Sequence, residues 1–249
     1  MKIVFAFLIK NKLSQEKLWY DYLKDNKDYE ILIHCAESDG LTVLKTLNTT
    51  VYVNQVPSKW SRLLEVELFL LQKSKEKLAD KVILLSDTCV PIKPLKYLYD
   101  TISLDKSYIK YMSMWKEWQG ALTRHPVRYD FLYGNHQWCI IDKRHFDIFL
   151  NNNFRSEFEK HVQFPEESYF SSMLSEKKLL NSDNVVDTIT TYVDWGRNDG
   201  SSPYTFETDV EENLKMVSDT KNVPDLFFFR KVSRKAQPKL LNSIISLLQ

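Results

Sequence analysis

Lys81-Val82-Ile83-Leu84-Leu85-Ser86 is the stretch of sequence that decides the fold class. Its aliphatic run is unbroken by polar residues, which is typical of a strand buried on both faces inside a parallel sheet. Pro91 and Pro94 follow the run and predict that a helix begins just after them, over residues 95–102. The stretch therefore predicts a strand, a turn and a helix, in that order.

The residues before this strand repeat the same alternation. Ile3–Ile9 and Tyr29–Cys35 are apolar runs of strand length, and residues 51–53 form a shorter one. Ser14-Gln15-Glu16 can open a helix, and residues 58–77 carry apolar side chains at helical spacing. Strands that alternate with helices predict an α/β fold, a three-layer α/β/α sandwich whose ligands bind at the carboxyl ends of the strands.

The second half of the chain is less regular. Loops near residues 113–136 and 194–224 are long enough to be functional. No linker separates the two halves, so we expect one domain over residues 1–249. The predicted elements are strands at 108–112, 138–142, 188–193 and 226–229, and helices at 144–150, 166–174 and 238–248.

The composition excludes several classes of protein. The chain has 34 Lys and Arg against 33 Asp and Glu, and this balance argues against a nucleic-acid-binding surface. Its three cysteines lie far apart and predict a reducing compartment rather than a disulfide framework. Ile3–Ile9 is too short for a secretion signal or a membrane span, so we expect a cytoplasmic protein.

Metal and nucleotide motifs are missing from the sequence. It contains no standard nucleotide-binding, serine-hydrolase or zinc-peptidase motif, and its five histidines show no metal-ligand spacing. Ser86-Asp87-Thr88 ends the decisive strand with one carboxylate, where a metal-dependent sugar-nucleotide site would need two. Asp87 is a candidate ligand-binding residue, and an Asx-type turn that caps the next helix is the alternative. We expect no cofactor and no metal.

Two pairs of charged residues are further candidates. Glu166 and Glu167 stand at a predicted helix start, where acidic residues can take part in catalysis or simply complement the helix dipole. Arg230 and Lys231 end an apolar strand, where basic residues can bind a diphosphate or form a solubilising cluster. Both interpretations stay open for each pair on the residues alone.

Seven blocks of sequence, spread over nearly the whole chain, are informative because of their order and spacing. The most specific is residues 82–93, a strand, a polar turn and then Pro91-Ile92-Lys93. The other blocks are residues 2–8 with Trp19 and 29–34, residues 58–65, residues 134–141 with Arg144-His145, Phe164-Pro165-Glu166-Glu167, residues 191–195 with 202–206, and residues 226–231. Together they resemble the core-2/I-branching β-1,6-N-acetylglucosaminyltransferases of glycosyltransferase family 14, which includes xylosyltransferases and plant relatives.

The resemblance implies a GT-A-like fold with a single Rossmann-like nucleotide-sugar-binding domain. Residues from 1 to about 105 would form its nucleotide-binding half, and the residues from about 106 to 249 its acceptor and catalytic half. The implied reaction is an inverting, metal-independent transfer of a sugar, GlcNAc or xylose, from a UDP-sugar to a hydroxyl of a glycan or glycoconjugate. By the resemblance, Glu167 is the general base, with Glu166 in place of the family's Asp, and Lys231 binds the diphosphate.

Other site residues are expected with less direct support. Arg230, Asp87 and Trp60 are expected at the donor, and Trp195, Trp138 and Glu166 at the acceptor, although the three tryptophans can equally be core aromatics. Arg197 is expected as a second diphosphate-binding arginine, and Arg234 is expected to lie outside the site. The helix at 238–248 is a candidate for peripheral membrane contact.

Alternatives from other classes are a non-catalytic carbohydrate-binding or scaffold protein that keeps the fold, and an α/β phosphatase or nuclease. A phosphatase or a nuclease of this kind would need clusters of carboxylates to hold two metal ions, and the sequence lacks such clusters.

Overall fold

A seven-stranded sheet forms the centre of the computed structural model, which describes residues 1–37, 42–59, 61–113, 130–198 and 202–249. The described strands are β1 (Ile3–Ile9), β2 (Tyr29–Cys35), β3 (Thr49–Val53), β4 (Lys81–Ser86), β5 (Val90–Pro91), β6 (Ser107–Tyr108), β7 (Tyr111–Ser113), β8 (Tyr133–Asn135), β9 (Ile140–Asp142), β10 (Val185–Val186), β11 (Thr191–Val193) and β12 (Phe228–Arg230). The order in the central sheet is β10-β6-β9-β4-β1-β2-β3, with β1 parallel to both β2 and β4.

Helices cover both faces of this sheet. They are α1 (Glu16–Leu23), α2 (Leu64–Glu76), α3 (Leu95–Thr101), α4 (Lys143–Leu150), α5 (Arg155–His161), α6 (Tyr169–Glu176), α7 (Glu211–Asp219) and α8 (Pro238–Ser246). Alternate residues of β1 divide the core: Val4 and Ala6 pack with α2, α4, α5 and α6, whereas Phe5 and Phe7 pack with α1 and α3. The predicted three-layer α/β sandwich is confirmed.

A smaller sheet, in the order β11-β12-β5, is joined to the central sheet through the turn that follows β4. Strand β12 runs antiparallel to β5, with Phe229 opposite Val90. Phe229 packs in a third cluster with Val217 of α7 and Leu240 of α8. The carboxyl end of β12 is thereby brought to the carboxyl end of β4.

Several predicted boundaries are wrong, and each difference has a local cause. Helix α2 begins at Leu64 rather than at residue 58, because Ser61 has a φ of 64°, outside the helical range. The strand predicted at 108–112 is divided between β6 and β7. The helix predicted at 166–174 is a short 3-10 helix, Pro165–Glu167, followed by α6.

The two long loops predicted in the second half are also only partly irregular. Strand β8 lies within the first, and α7 lies within the second. Residues 114–129 and 199–201 of these loops, like Trp60, lie outside the described residues.

The C-terminal helix α8 buries Leu240 and Ile244 and leaves Ile245 exposed. No helix in the described ranges has the length and apolarity needed to cross a bilayer. Peripheral membrane contact through α8 stays a prediction.

A buried ion pair joins β4 and β9 at the amino end of β4, opposite the end at which Ser86 lies. The Lys81 Nζ donates to Asp142 Oδ2 at 2.7 Å, and the side chains are 0% and 1% exposed. The pair matches the antiparallel register of β4 and β9, in which Ile83 faces Ile140. Continued along both strands, this register carries Trp138 to the level of Leu85, one residue before Ser86.

We expect Asp142→Asn to lower the free energy of unfolding by about 3–5 kcal/mol, because it leaves the Lys81 ammonium buried without its counter-charge. Urea denaturation measures this change. Asp100→Asn is the matched control, since Asp100 pairs with Lys96 at the surface and should contribute less than about 1 kcal/mol. Equal losses of unfolding free energy in the two variants would show that the buried pair stabilises the fold no more than the surface pair does.

Candidate active site at the carboxyl ends of β4 and β12

Arg230 and Ser86 connect the two strand ends. The Arg230 Nε donates to Ser86 Oγ at 3.0 Å, and one residue beyond Lys231 the Val232 backbone N–H donates to the Thr88 carbonyl at 3.0 Å. Ser86 is the last residue of β4 and Arg230 the last of β12. The turn after the decisive strand therefore faces a basic segment from the smaller sheet.

The guanidinium of Arg230 also lies over an aromatic ring. Its central carbon is 4.9 Å from the centroid of the Trp138 ring, and Trp138 is 7% exposed. Burial lowers the pKa of Arg230, whereas Cys89, Asp87 and Glu167 act in the opposite direction. Arginine stays charged even so, and one face of Trp138 is covered by that charge.

Lys231 and Asp87 act on each other electrostatically and on the same cluster of charges as Arg230. Burial lowers the pKa of Lys231 and the neighbouring Arg230 lowers it further, while Asp87 raises it. Burial raises the pKa of Asp87, and Arg234, Arg230 and Lys231 lower it, in that order. The alternative role of Asp87 as a helix cap is not supported, because α3 begins after Pro94 with no side-chain cap.

Arg234 lies closer to the site than the sequence suggests. Its NH2 donates to the Lys12 carbonyl at 2.7 Å, beyond the end of β1, and its charge lowers the pKa of Asp87 more than the charges of Arg230 and Lys231 do. The expectation that Arg234 lies outside the site is therefore not supported. Lys235, the next residue, is exposed.

Glu167 combines solvent access with partial desolvation. It ends the 3-10 helix Pro165–Glu167, and its side chain is exposed. The surrounding protein nevertheless desolvates its carboxylate and raises its pKa, and the charge of Arg230 opposes this rise. A carboxylate that is accessible yet has raised basicity has the properties of a general base. The helix-dipole interpretation fits less well, since α6 begins only at Tyr169.

Glu166, in contrast, is 3% exposed. Burial raises the pKa of Glu166 to about 7 and the charge of Glu167 adds to the rise, while backbone hydrogen bonding, including that of Leu63, and the charge of Arg62 lower it. Its neighbour Asn135 donates from Nδ2 to the Glu166 carbonyl at 3.1 Å and so holds the turn. Acceptor binding by Glu166 stays a prediction.

The tryptophans differ in their surroundings. Trp195 is 46% exposed and follows β11, whose Val193 is paired with Arg230 of the parallel strand β12. Because the two strands are parallel, Trp195 and Lys231 lie beyond the same end of β11 and β12. Trp138 is packed with Arg230, and Trp60 is outside the described residues. Sugar stacking by any of the three stays a prediction.

Arg197 is engaged by its own chain. Its Nε donates to Asp194 Oδ2 at 2.6 Å and its NH1 to Asn213 Oδ1 at 2.7 Å. The guanidinium carbon is 3.8 Å from the centroid of the Tyr204 ring. These contacts favour a structural role for Arg197 rather than the expected role at a diphosphate.

Sequence reasoning missed Glu67, which lies in the middle of α2 and is completely buried. Its Oε1 accepts a hydrogen bond of 2.8 Å from Gln137 Nε2, directly before Trp138. Burial raises the pKa of Glu67 well above its usual range, and the charge of Glu166 adds to this. The signal available in the sequence was that Glu67 falls at the same helical spacing as Leu64, Leu68 and Leu71, on the apolar face of α2.

In the described ranges, no three His, Cys, Asp or Glu side chains are grouped so that they could hold a metal ion. In the part of the chain that the structure describes, Arg230, Lys231 and Arg234 supply positive charge beside Asp87.

Fold and site together define an α/β protein with basic side chains and an accessible carboxylate at the carboxyl ends of its strands. A sequence profile of the family described as Core-2/I-Branching enzyme matches residues 3–217, so the chain belongs to that family.

A similar protein is Glycosyltransferase BC10 of Oryza sativa subsp. japonica. It is 24% identical over 174 residues, which cover 65% of this chain and 44% of that protein. The chain thus spans less than half the length of this relative. Among solved structures, A197 from STIV matches 69% of this chain and 77% of its own, with 16% identity and a TM-score of 0.26. A likeness that low carries no argument.

We expect Glu166→Gln to increase stability selectively at high pH. The folded state holds the pKa of Glu166 at about 7, above the ordinary 4.5, so wild-type stability falls as the pH rises through this range. The variant lacks this ionisation, and its stability relative to wild type should rise by about 3 kcal/mol between acid and mildly alkaline pH. Urea denaturation across the range measures this, with Glu65→Gln on α2 as the control. A constant difference at all pH values would contradict the assignment.

Proposed function

We propose that this chain is an inverting glycosyltransferase that moves a sugar from a UDP-sugar to a hydroxyl of a glycan or glycoconjugate. Glu167 carries the proposal: it is an accessible carboxylate of raised pKa within electrostatic reach of Arg230, in a member of the core-2/I-branching family. GlcNAc and xylose are the donor sugars that the family resemblance favours.

The proposed reaction needs one base and one well-stabilised leaving group. Glu167 takes the proton of the acceptor hydroxyl as its oxygen bonds to the anomeric carbon. On the opposite side of that carbon, the bond to the β-phosphate oxygen breaks, and UDP leaves with the electron pair. Attack from the face opposite the leaving group inverts the anomeric configuration.

The departing UDP gains negative charge at its β-phosphate. Lys231 and Arg230 supply the opposite charge in this proposal, and they do so without a metal ion. The bond from Arg230 to Ser86 and its contact with Trp138 support this role, because they hold the cation in place before the substrate binds. In this proposal Asp87 lowers the net positive charge of the donor site, since its charge acts on both Arg230 and Lys231.

The acceptor would approach from the side of Glu167. Trp195 is the exposed aromatic at the edge of the small sheet and offers a face for a sugar ring. Trp138 contributes its contact with Arg230 and so acts on the acceptor less directly than Trp195.

A panel of UDP-sugars, assayed for transfer and for slow hydrolysis with and without EDTA, tests the proposal. We expect turnover of at least one donor and full activity in EDTA, since the cationic side chains supply the charge. Strict dependence on Mn²⁺ would make Asp87 a metal ligand instead. Glycan binding without turnover of any donor would favour the carbohydrate-binding or scaffold alternative.

Glu167→Gln should abolish transfer and leave UDP binding near the wild-type value. The amide keeps the size of the side chain but cannot accept the proton, and loss of a general base typically costs about 10²–10⁴ in rate. Steady-state kinetics and calorimetry measure the two effects. Glu166→Gln is the matched neighbour and should be much milder; an essential Glu166 with a dispensable Glu167 would reverse their roles.

Lys231→Ala should weaken UDP binding and slow turnover. A contact to a charged group contributes about 1.5–3 kcal/mol, which corresponds to a loss of roughly tenfold or more in UDP affinity. Calorimetric titration with UDP measures it. Lys235→Ala is the matched control, because Lys235 is exposed on the same basic segment. If both variants bind UDP as tightly as wild type, Lys231 is not part of the donor site.

A further inference from the structure

The order of the strands in the central sheet reverses between β1 and β4. From β1 the chain continues to β2 on one side, and from β4 it reaches β6 and β9 on the other side. The two strands are parallel, with Leu8 beside Ser86, so they end at the same edge of the sheet. Ligands of open α/β sheets bind outside the carboxyl ends of the strands at such a reversal. The loop after β1 and the turn after β4 therefore border the crevice in which a ligand is expected.

The basic segment 230–235 is bonded to both borders of this crevice. On the side of β4, the Val232 backbone N–H donates to the Thr88 carbonyl at 3.0 Å. On the side of β1, the Arg234 NH2 donates to the Lys12 carbonyl at 2.7 Å. These two bonds place the segment across the crevice, from one border to the other.

The cations of the segment consequently occupy two positions. The Arg230 guanidinium lies over the ring of Trp138, which precedes β9, and Lys231 follows Arg230 directly. Arg234 lies instead at the loop after β1. Because β4 stands between β9 and β1 in the sheet, Arg230 and Arg234 are on opposite sides of the end of β4.

These cations have no acidic partner at ion-pair distance. In the ranges that the structure describes, no carboxylate oxygen lies within 4.0 Å of a side-chain nitrogen of segment 230–235, whereas Arg197 is paired with Asp194 at 2.6 Å. In the sequence, no Asp or Glu follows Asp225. Positive charge that the protein leaves unpaired beside a ligand-binding crevice is available to an anionic ligand.

We propose that Arg234 is a further binding residue of the donor site: it binds the phosphate next to the nucleoside, while Arg230 and Lys231 bind the phosphate that departs. The inference rests on the proposed function, which puts the reacting sugar beside Glu167. The charge of Arg230 acts on Glu167, so the reacting end of the donor belongs on the side of Arg230. A nucleoside diphosphate that spans the end of β4 then brings its other phosphate toward Arg234.

The guanidinium of Arg234 is able to make this contact. Its side chain is exposed, and its recorded hydrogen bonds, to the Lys12 carbonyl and to Asn11 Oδ1 at 3.5 Å, both use NH2. In the part of the chain that the structure describes, Nε and NH1 make no hydrogen bond, so they can donate to a phosphate oxygen. The bond to Lys12 holds the cation in place before the ligand binds.

Two nucleotides separate the two positions, since UMP carries only the phosphate next to the nucleoside and UDP carries both. Arg234→Gln should weaken the binding of UMP and of UDP by the same factor, about five- to tenfold. Lys231→Ala should weaken the binding of UDP more than that of UMP. An Arg234→Gln variant that binds UMP as tightly as wild type would overturn the proposal.

A second substitution distinguishes phosphate binding from a purely structural role of Arg234. Glutamine keeps a donor for the Lys12 carbonyl but lacks the positive charge, whereas lysine keeps the charge. We therefore expect Arg234→Lys to lose less UMP affinity than Arg234→Gln. Equal losses in the two variants would show that Arg234 only holds the loop after β1, and the proposal would fall.

Calorimetric titration of the full chain with UMP and UDP measures these affinities. Lys235→Gln is the matched control, because Lys235 is the adjacent exposed cation, and it should bind both nucleotides like wild type. An equal loss in Lys235→Gln would show a general effect of net charge and would overturn the proposal. A chain with the expected affinities that turns over no UDP-sugar would refute the proposed function and leave the phosphate site standing. Turnover of a UDP-sugar with unchanged UMP affinity in Arg234→Gln would do the reverse.

Discussion

The guanidinium group of Arg230 is the point on which the site depends. It donates to Ser86 of the central sheet from the last residue of a strand in the smaller sheet, and it lies against Trp138. The contact thus joins two sheets at the edge where ligands bind in α/β folds. It also acts on the carboxylates of Asp87 and Glu167, so one half-buried cation organises both the shape of the site and its charge.

The central sheet could be predicted from sequence because its middle strands are buried on both faces. Such strands must be continuously apolar, and Ile3–Ile9 and Lys81–Ser86 carry that pattern without ambiguity. The two-residue strands β5 and β10 could not be predicted, since they exist only through their pairing with distant segments. The start of α2 was missed because the backbone at Ser61 departs from helical geometry, which its residue type does not reveal.

Site residues could be predicted where a sequence motif places them at the end of an element. They could be predicted less well where their role depends on contacts between residues far apart in the chain. Lys231 and Glu167 could be proposed from their motifs, and both remain proposals. The contact of Arg230 with Trp138 joins residues far apart in the chain, and neither residue indicates the other. Glu67 was hidden for a different reason: its helical spacing is that of a core residue, and only its burial beside a second acid shows that it is unusual.

The proposed reaction gives the site two tasks that would otherwise conflict: to bind a diphosphate and to keep a nearby carboxylate basic. Binding a diphosphate requires several positive charges, which would lower the basicity of a nearby carboxylate. Desolvation acts in the opposite direction and raises the pKa of Glu167, at a cost in folding stability that grows as the pH rises. Arg230 contacts Ser86 and Trp138 and lowers the pKa of Glu167, whose carboxylate the surrounding protein desolvates. At Glu167 the effect of desolvation outweighs that of Arg230, so a carboxylate can keep raised basicity beside a cation, and part of the stability of the fold is given up for it.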